Sequence, residues 1–386
     1  MSGLKFDVGL ITHHGEEWVV HGMDCPDQPN HEPRRNEVKP GEHGRWVLLH
    51  EAELRGGADL VHDNARMCAS ALANVGRVSH RYIAKKLHDG EFVRLDGAIG
   101  TELERRGVPM DADAWCGPSV AEHGDVLRDI HKEYLNLGCD VITANTYASV
   151  PGMLRAAGQE QNHSFLIERA VAIAREAAVE CGREETSAVA GSMSHMIPHM
   201  AGTDMVDPTL GDVPPGFEED CEQHASALLA AGVDMIFLEM MFNPARAEIV
   251  ANTACATGLP VWFGLSVREG PHGGPILYDK HEERSISEIL NLIDDRVEAV
   301  GIMHSRADLI EPALAEIRTH WSGPMAVYPD SGHFEMPNWN FNDVMAPPVF
   351  AEFAQRWRDL GFIAIGGCCG LGPSHIELLP AGTATA

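Results

Sequence analysis

From residue 92 onward, short apolar runs rich in β-branched residues alternate with stretches whose apolar positions recur three or four apart. The first pattern is that of buried strands, the second that of amphipathic helices. The runs "FVRLD" (92–96), "CDVITA" (139–144), "SAVAG" (187–191), "VDMIFLE" (233–239), "PVWFGLS" (260–266), "VEAVGIM" (297–303), "PMAVY" (324–328) and "FIAIGG" (362–367) predict eight strands. Between them, "SFLIERAVAIAREAAVEC" (164–181) and "EEDCEQHASALLAAG" (218–232) carry the helical period, and Gly138 and Gly232 stand where helices stop.

Eight strand–helix units in about 290 residues predict an α/β protein, a (β/α)8 TIM barrel over residues 91–386. A doubly wound open sheet shows the same alternation, so the count alone does not decide between them. No G-x-G-x-x-G follows the first strand, which weakens a dinucleotide-binding reading. The last helical segment, "PSHIELLP", is short and predicts irregular closure. Residues 1–90 lack the rhythm. "DCPDQPNHEPRRNEVKPGEHG" (24–44) reads as a polar loop, and residues 58–87 as one or two helices. This N-terminal extension is assigned to packing or oligomerisation, with cover over the active site as the alternative, and a homo-oligomer is expected.

Net charge changes the range of partners. With 57 acidic and 29 basic residues the chain carries −28, a surface that repels nucleic acid and anionic membrane. No run is long and apolar enough for a membrane span. The first residues lack the basic and apolar regions of a signal peptide, so a cytoplasmic location is expected. Nine scattered cysteines in a reducing compartment argue against a disulfide framework, and a bridge between the neighbours Cys368 and Cys369 would be strained.

In a parallel barrel, chemistry collects at the carboxyl ends of the strands. There the sequence places Asp96, then Asn145 and Tyr147, Glu239, His304, "YPDSG" (328–332), and finally Cys368 and Cys369 within "GGCCGLGPSH" (366–375). Two thiolates and an imidazole form a soft donor set suited to zinc, with one position open to substrate. Buried packing cysteines are the alternative at this stage. His195 and His199 lie four apart, but Pro198 between them disfavours a second metal pair on one helix. Cys181 and Cys255 fall in helical patterns and read as packing residues.

Six segments together carry a family resemblance: "LDGAIGTELERRG" (95–107), "TANTYAS" (143–149), "AGS" (190–192), "FLEMMFNPARAE" (237–248), "YPDSG" (328–332) and "GGCCGLGPSHI" (366–376). In order and spacing the chain resembles the homocysteine S-methyltransferase family, which includes betaine–homocysteine methyltransferase. The resemblance implies a (β/α)8 barrel, a catalytic Zn2+, and transfer of a methyl group from a small onium donor to a thiol, with homocysteine giving methionine. Cys368 and Cys369 match two zinc ligands. The third family cysteine follows strand 6 in a G-x-N-C pattern, where this chain reads "GIMHS" and offers His304. That departure leaves two other readings: a zinc hydrolase or lyase on the same barrel, or a non-catalytic sensor. Asp96 and Glu239 match acidic positions around the amino-acid substrate; a turn residue and an internally paired charge are their bland readings. Trp115 and Tyr147 resemble aromatic positions of the betaine enzyme, whereas Met240 stands where that enzyme has another aromatic. With Asn145 they complete the expected substrate-binding set.

Overall fold

The computed structural model describes residues 79–200, 205–335 and 337–379. All eight expected strands form: β1 (Val93–Arg94), β2 (Val141–Ala144), β3 (Ala188–Ser194), β4 (Met235–Met241), β5 (Val261–Leu265), β6 (Ala299–Met303), β7 (Met325–Tyr328) and β8 (Ala364–Ile365). They pair in parallel in the order β1-β8-β7-β6-β5-β4-β3-β2, so the strand order never reverses. An open doubly wound sheet requires such a reversal. The circle closes between β1 and β2 through the bridge Leu95–Val141. Two backbone bonds flank it, Asp96 N to Val141 O at 3.1 Å and Asp140 N to Arg94 O at 2.7 Å. The seam is thin, as the short last helix (Pro373–Glu377) foreshadows.

The helices form for the reason their period predicts. In His163–Glu180, Leu166, Ile167, Ala170, Val171, Ala174, Ala177 and Ala178 make one buried stripe against the sheet. Each large aliphatic side chain so buried stabilises the fold by about 1.5–3 kcal/mol. Phe217–Ala231 ends at Gly232, whose φ of 80° suits a left-handed cap. Inside the barrel, Phe237 stacks on Trp262 with centroids 5.1 Å apart and leans on Tyr328 at 6.1 Å. These rings form the floor beneath the carboxyl-end cavity.

Most of the N-terminal extension lies outside the described residues. Its last part, residues 79–89, is helical and buries Ile83 completely. Lys86 Nζ lies 2.7 Å from Asp140 Oδ2, and His80 Nε2 lies 3.3 Å from Glu298. Asp140 and Glu298 directly precede β2 and β6, so this helix covers the amino-terminal end of the barrel, away from the mouth. Among the described residues no helix is long and apolar enough to cross a membrane.

Candidate metal centre and substrate cavity

A cavity of about 190 Å³ opens at the carboxyl ends of the strands. Asp96, Trp115, Asn145, Tyr147, Glu239, His304, Cys368 and Cys369 all line it, so the barrel gathers every candidate site residue into one place. Sequence position alone spreads them over 274 residues, from 96 to 369.

Backbone strain marks the same place. Trp115, Met240 and His304, with φ of 45°, 57° and 43°, are the non-glycine residues at positive φ among those described, and all three line the cavity. A left-handed residue costs about 1–2 kcal/mol. Local bonds offset it: Met240 N donates to Met303 Sδ at 2.8 Å, and His304 N to Tyr328 O at 3.1 Å. The β4–β5 ladder slips register between Leu238 and Met241, a bulge that lies at Glu239 and Met240.

His304 Nδ1 lies 3.5 Å from Cys368 Sγ, and the two sulfurs are 3.9 Å apart. One donor atom from each of the three residues falls within 4.8 Å of the others. A tetrahedral zinc with bonds of about 2.3 Å to sulfur and 2.0–2.1 Å to nitrogen needs about 3.8 Å between sulfurs and 3.6 Å between sulfur and nitrogen. The donor set fits zinc by chemistry and by spacing. At 3.9 Å the sulfurs are separate thiols, not a disulfide.

The turn that presents them is pinned on both sides: Cys368 N donates to Pro329 O at 2.7 Å, and Ser331 N to Cys369 O at 2.9 Å. Gly370 completes it at φ 81°, where a Cβ would collide with the Ser331 carbonyl oxygen. Gly370→Ala should therefore lower stability by about 3 kcal/mol and weaken metal binding, as read by chemical denaturation and chelator competition.

Electrostatics inside the centre divide the protons unevenly. The hydrogen bond with Cys369, reinforced by His304, holds the Cys368 thiol well below its ordinary range, while Cys369 is held well above. Burial would lower the His304 imidazole, but Asp330 and Cys368 outweigh it and raise it to about 9. A divalent cation entering the site would displace these protons.

Two carboxyls complete the polar side. Asp96 accepts from Thr143 N at 2.6 Å and Thr143 Oγ1 at 3.1 Å, and burial pushes it up to about 7. Glu239 is pushed up to about 8, by burial first and then by the charge on Cys368. Neither forms an ion pair among the described residues, and the charge acting on Glu239 that favours its ionised form is that of His304. Asn145 also bonds to the neighbouring loop: its Nδ2 donates to Cys116 O at 3.0 Å, and its Oδ1 accepts from Cys116 Sγ at 3.1 Å. It pins the loop that carries Trp115.

The apolar side is richer than the sequence reading. Trp115 meets Phe334 edge-on at 6.3 Å, while Tyr278 and Trp339 flank the His304 ring at 5.7 and 5.9 Å. Phe334 and Trp339 come from an antiparallel hairpin (His333–Glu335 with Asn338–Asn340) inserted after β7. Sequence reasoning missed it, although the alternating "HFE" and "NWN" around a Pro-containing turn carry a hairpin signal. Tyr147 donates to Met240 Sδ at 2.9 Å.

The two histidines of "SHMIPHM" part company. His195 is fully buried, and its Nε2 accepts from Phe242 N and Asn243 N at 3.0 and 3.1 Å. Burial holds it well below its usual pKa, so it is a neutral structural acceptor. His199 lines the cavity. Among the described residues, the only close group of three metal-type donors is His304, Cys368 and Cys369.

A parallel barrel with a sulfur–nitrogen donor triangle at its mouth defines a TIM-barrel enzyme with a metal-competent thiol centre. Residues 93–381 match the family model described as homocysteine S-methyltransferase, and the chain belongs to that family of methyltransferases. Membership sets the chain among methyl-transfer enzymes rather than hydrolases or lyases. A homocysteine S-methyltransferase of Escherichia coli (strain K12) is 27% identical over 302 residues, covering 75% of this chain and 95% of its own. A selenocysteine methyltransferase of Astragalus bisulcatus is 25% identical over 327 residues, covering 78% and 95%. Among solved structures, the oxidized form of the homocysteine methyltransferase MmuM from Escherichia coli superposes with a TM-score of 0.59 at 26% identity, covering 74% and 94%. Its metallated form shares the fold, with a TM-score of 0.57 at 24% identity and coverage of 75% and 95%.

Proposed function

We propose that this chain transfers a methyl group from a small onium donor to homocysteine, giving methionine, with zinc held by His304, Cys368 and Cys369. The observation that carries the reading is the donor triangle, 3.5 and 3.9 Å on its measured sides, facing a cavity that also holds the two buried carboxyls of Asp96 and Glu239. When bound, zinc would keep the acceptor sulfur deprotonated near neutral pH, where a free thiol of pKa about 8.5 is mostly protonated.

The chain's own residues do the rest. Glu239 and Asp96 take the acceptor's ammonium, a cation that suits two carboxyls in a buried site. Trp115, Tyr278, Phe334 and Trp339 line the cavity and offer aromatic faces to a positively charged methyl donor. Apolar walls exclude water and hold the reactants in line. The sulfur's electron pair forms the new bond to the methyl carbon as the carbon–nitrogen or carbon–sulfur bond of the donor breaks. The donor leaves neutral, with the bonding pair, and the carbon inverts. A thiol-ligated metal centre also accords with a cytoplasmic location.

The direct test incubates zinc-loaded protein with homocysteine and, in turn, betaine, a dimethylsulfonium compound and S-methylmethionine, and measures methionine. One donor should support turnover; none doing so would refute the reading. Phe334→Leu removes a π face but keeps apolar bulk. It should raise the donor KM about 2–5-fold, the equivalent of 0.5–1 kcal/mol, and leave the acceptor KM unchanged.

A further inference from the structure

We infer that Asp330 is a positioning residue of the metal centre: it orients the His304 ring and returns the negative charge that a histidine omits where a cysteinate would supply it. The inference rests on His304 being a ligand, as proposed above.

Charge counting states the problem. Two cysteinates and a neutral imidazole balance a divalent zinc to zero, whereas three cysteinates leave −1. A substrate sulfur joining the first set meets a less anionic centre and is held more tightly, hence is a weaker nucleophile. A histidine also raises a question that a cysteine does not, because its two nitrogens must be told apart.

The structure answers both points with one side chain. His304 Nδ1 faces Cys368 Sγ at 3.5 Å, and the opposite nitrogen, Nε2, faces Asp330 Oδ2 at 3.7 Å. Ligation through Nδ1 leaves the proton on Nε2, the nitrogen on the carboxylate's side of the ring, at ion-pair distance. Side-chain exposure is 11% for His304 and 13% for Asp330, so water screens the pair poorly. Asp330 does not line the cavity; it stands behind the imidazole, on the side away from Cys368.

The backbone holds this arrangement at both strand ends. His304 N donates to Tyr328 O at 3.1 Å, and Asp330 N to Ser305 O at 3.3 Å, so the ends of β6 and β7 are tied on either side of the pair. Tyr278 and Trp339 limit the swing of the ring. Arg306, the nearby arginine that also acts on Asp330, is engaged by Glu269 at 3.0 Å and by Asp308. The one ion pair of Asp330 among the described residues is with His304. A carboxylate behind a ligating imidazole is a recurring way to fix its tautomer and raise its basicity, and loss of such a partner weakens metal binding by about 10–100-fold.

The test compares Asp330→Asn in two backgrounds, the natural chain and His304→Cys, by titrating zinc against a chromophoric chelator and recording the cobalt(II) spectrum. In the natural background zinc affinity should fall about 10–100-fold and the cobalt bands should shift. In the His304→Cys background the same substitution should leave affinity within about twofold or raise it, because the added cysteinate already supplies the charge and has no second nitrogen to orient. Equal losses in both backgrounds, or no loss in the natural one, would overturn the inference. So would a large drop in melting temperature of metal-free Asp330→Asn, which would make the residue a fold support. Wild-type protein run in parallel separates the two levels. If it binds no zinc, the metal reading fails and this inference with it; if it binds normally, a negative result for Asp330 stands alone.

Discussion

Serine at Cys368 or Cys369 should abolish stoichiometric zinc and lower methyl transfer by about 1,000-fold, with the fold intact. Each substitution exchanges one sulfur for one oxygen in a turn held by backbone bonds, Cys368 N to Pro329 O and Ser331 N to Cys369 O, so the chain path is undisturbed. What is lost is a soft anionic donor, and the two remaining ligands do not make a zinc site. Without the metal an acceptor thiol of pKa about 8.5 is only about 3% ionised at pH 7, which alone removes about 30-fold. Loss of alignment between sulfur and methyl carbon accounts for the remainder. Metal content by mass spectrometry, circular dichroism and single-turnover rates measure the three quantities. Full activity in either serine variant would sink the metal reading.

The second large effect is expected at Glu239. Glutamine there keeps the shape but removes the charge that would meet the acceptor's ammonium. A charge-assisted bond of this kind contributes about 1.5–3 kcal/mol, so the acceptor KM should rise about 10–150-fold while the donor KM stays put. A pH signature accompanies it. Burial first, and then the charge on Cys368, push the Glu239 carboxyl up to about 8 in the metal-free cavity; zinc on Cys368 would cancel the second cause and leave the first. Binding an ammonium to a carboxyl still raised by burial releases its proton, so the acceptor KM should fall as pH rises from 6 and level once the carboxyl is ionised. The glutamine variant should lose this component and keep only the slope from the acceptor's own thiol. An unchanged KM in the variant would move the ammonium partner to Asp96.

Particular elements show how far the sequence reading reached. The eight strands stand where the apolar runs place them, because each is buried on both faces and needs no alternation. Their ends were less legible. β3 runs three residues past "SAVAG", through "SMS", which looks like loop in a linear reading. In the barrel those serines are buried and bonded: Ser192 N donates to Thr146 Oγ1 at 2.9 Å, and Ser194 Oγ to Tyr147 O at 3.0 Å. β8 stops after two residues, because the chain must turn at Gly366, where a Cβ would collide with the Asp96 carbonyl oxygen. Asn145 lines the cavity as expected and has a second task that no linear reading shows, bracing the Trp115 loop through Cys116.

By itself, the amino-acid sequence determined the strand–helix alternation, the barrel class, the family and the two adjacent sulfur donors. All of these are written in local periods and short contiguous motifs, which backbone geometry imposes residue by residue. Only the tertiary structure decided that His304 reaches Cys368, 64 positions further along the chain, that Asp330 stands behind its ring, and that a hairpin brings Phe334 and Trp339 to the cavity. Those meetings depend on strand order, on the β4 bulge and on three left-handed residues at the mouth. They arise from closure of the whole barrel, and no single stretch of chain contains them.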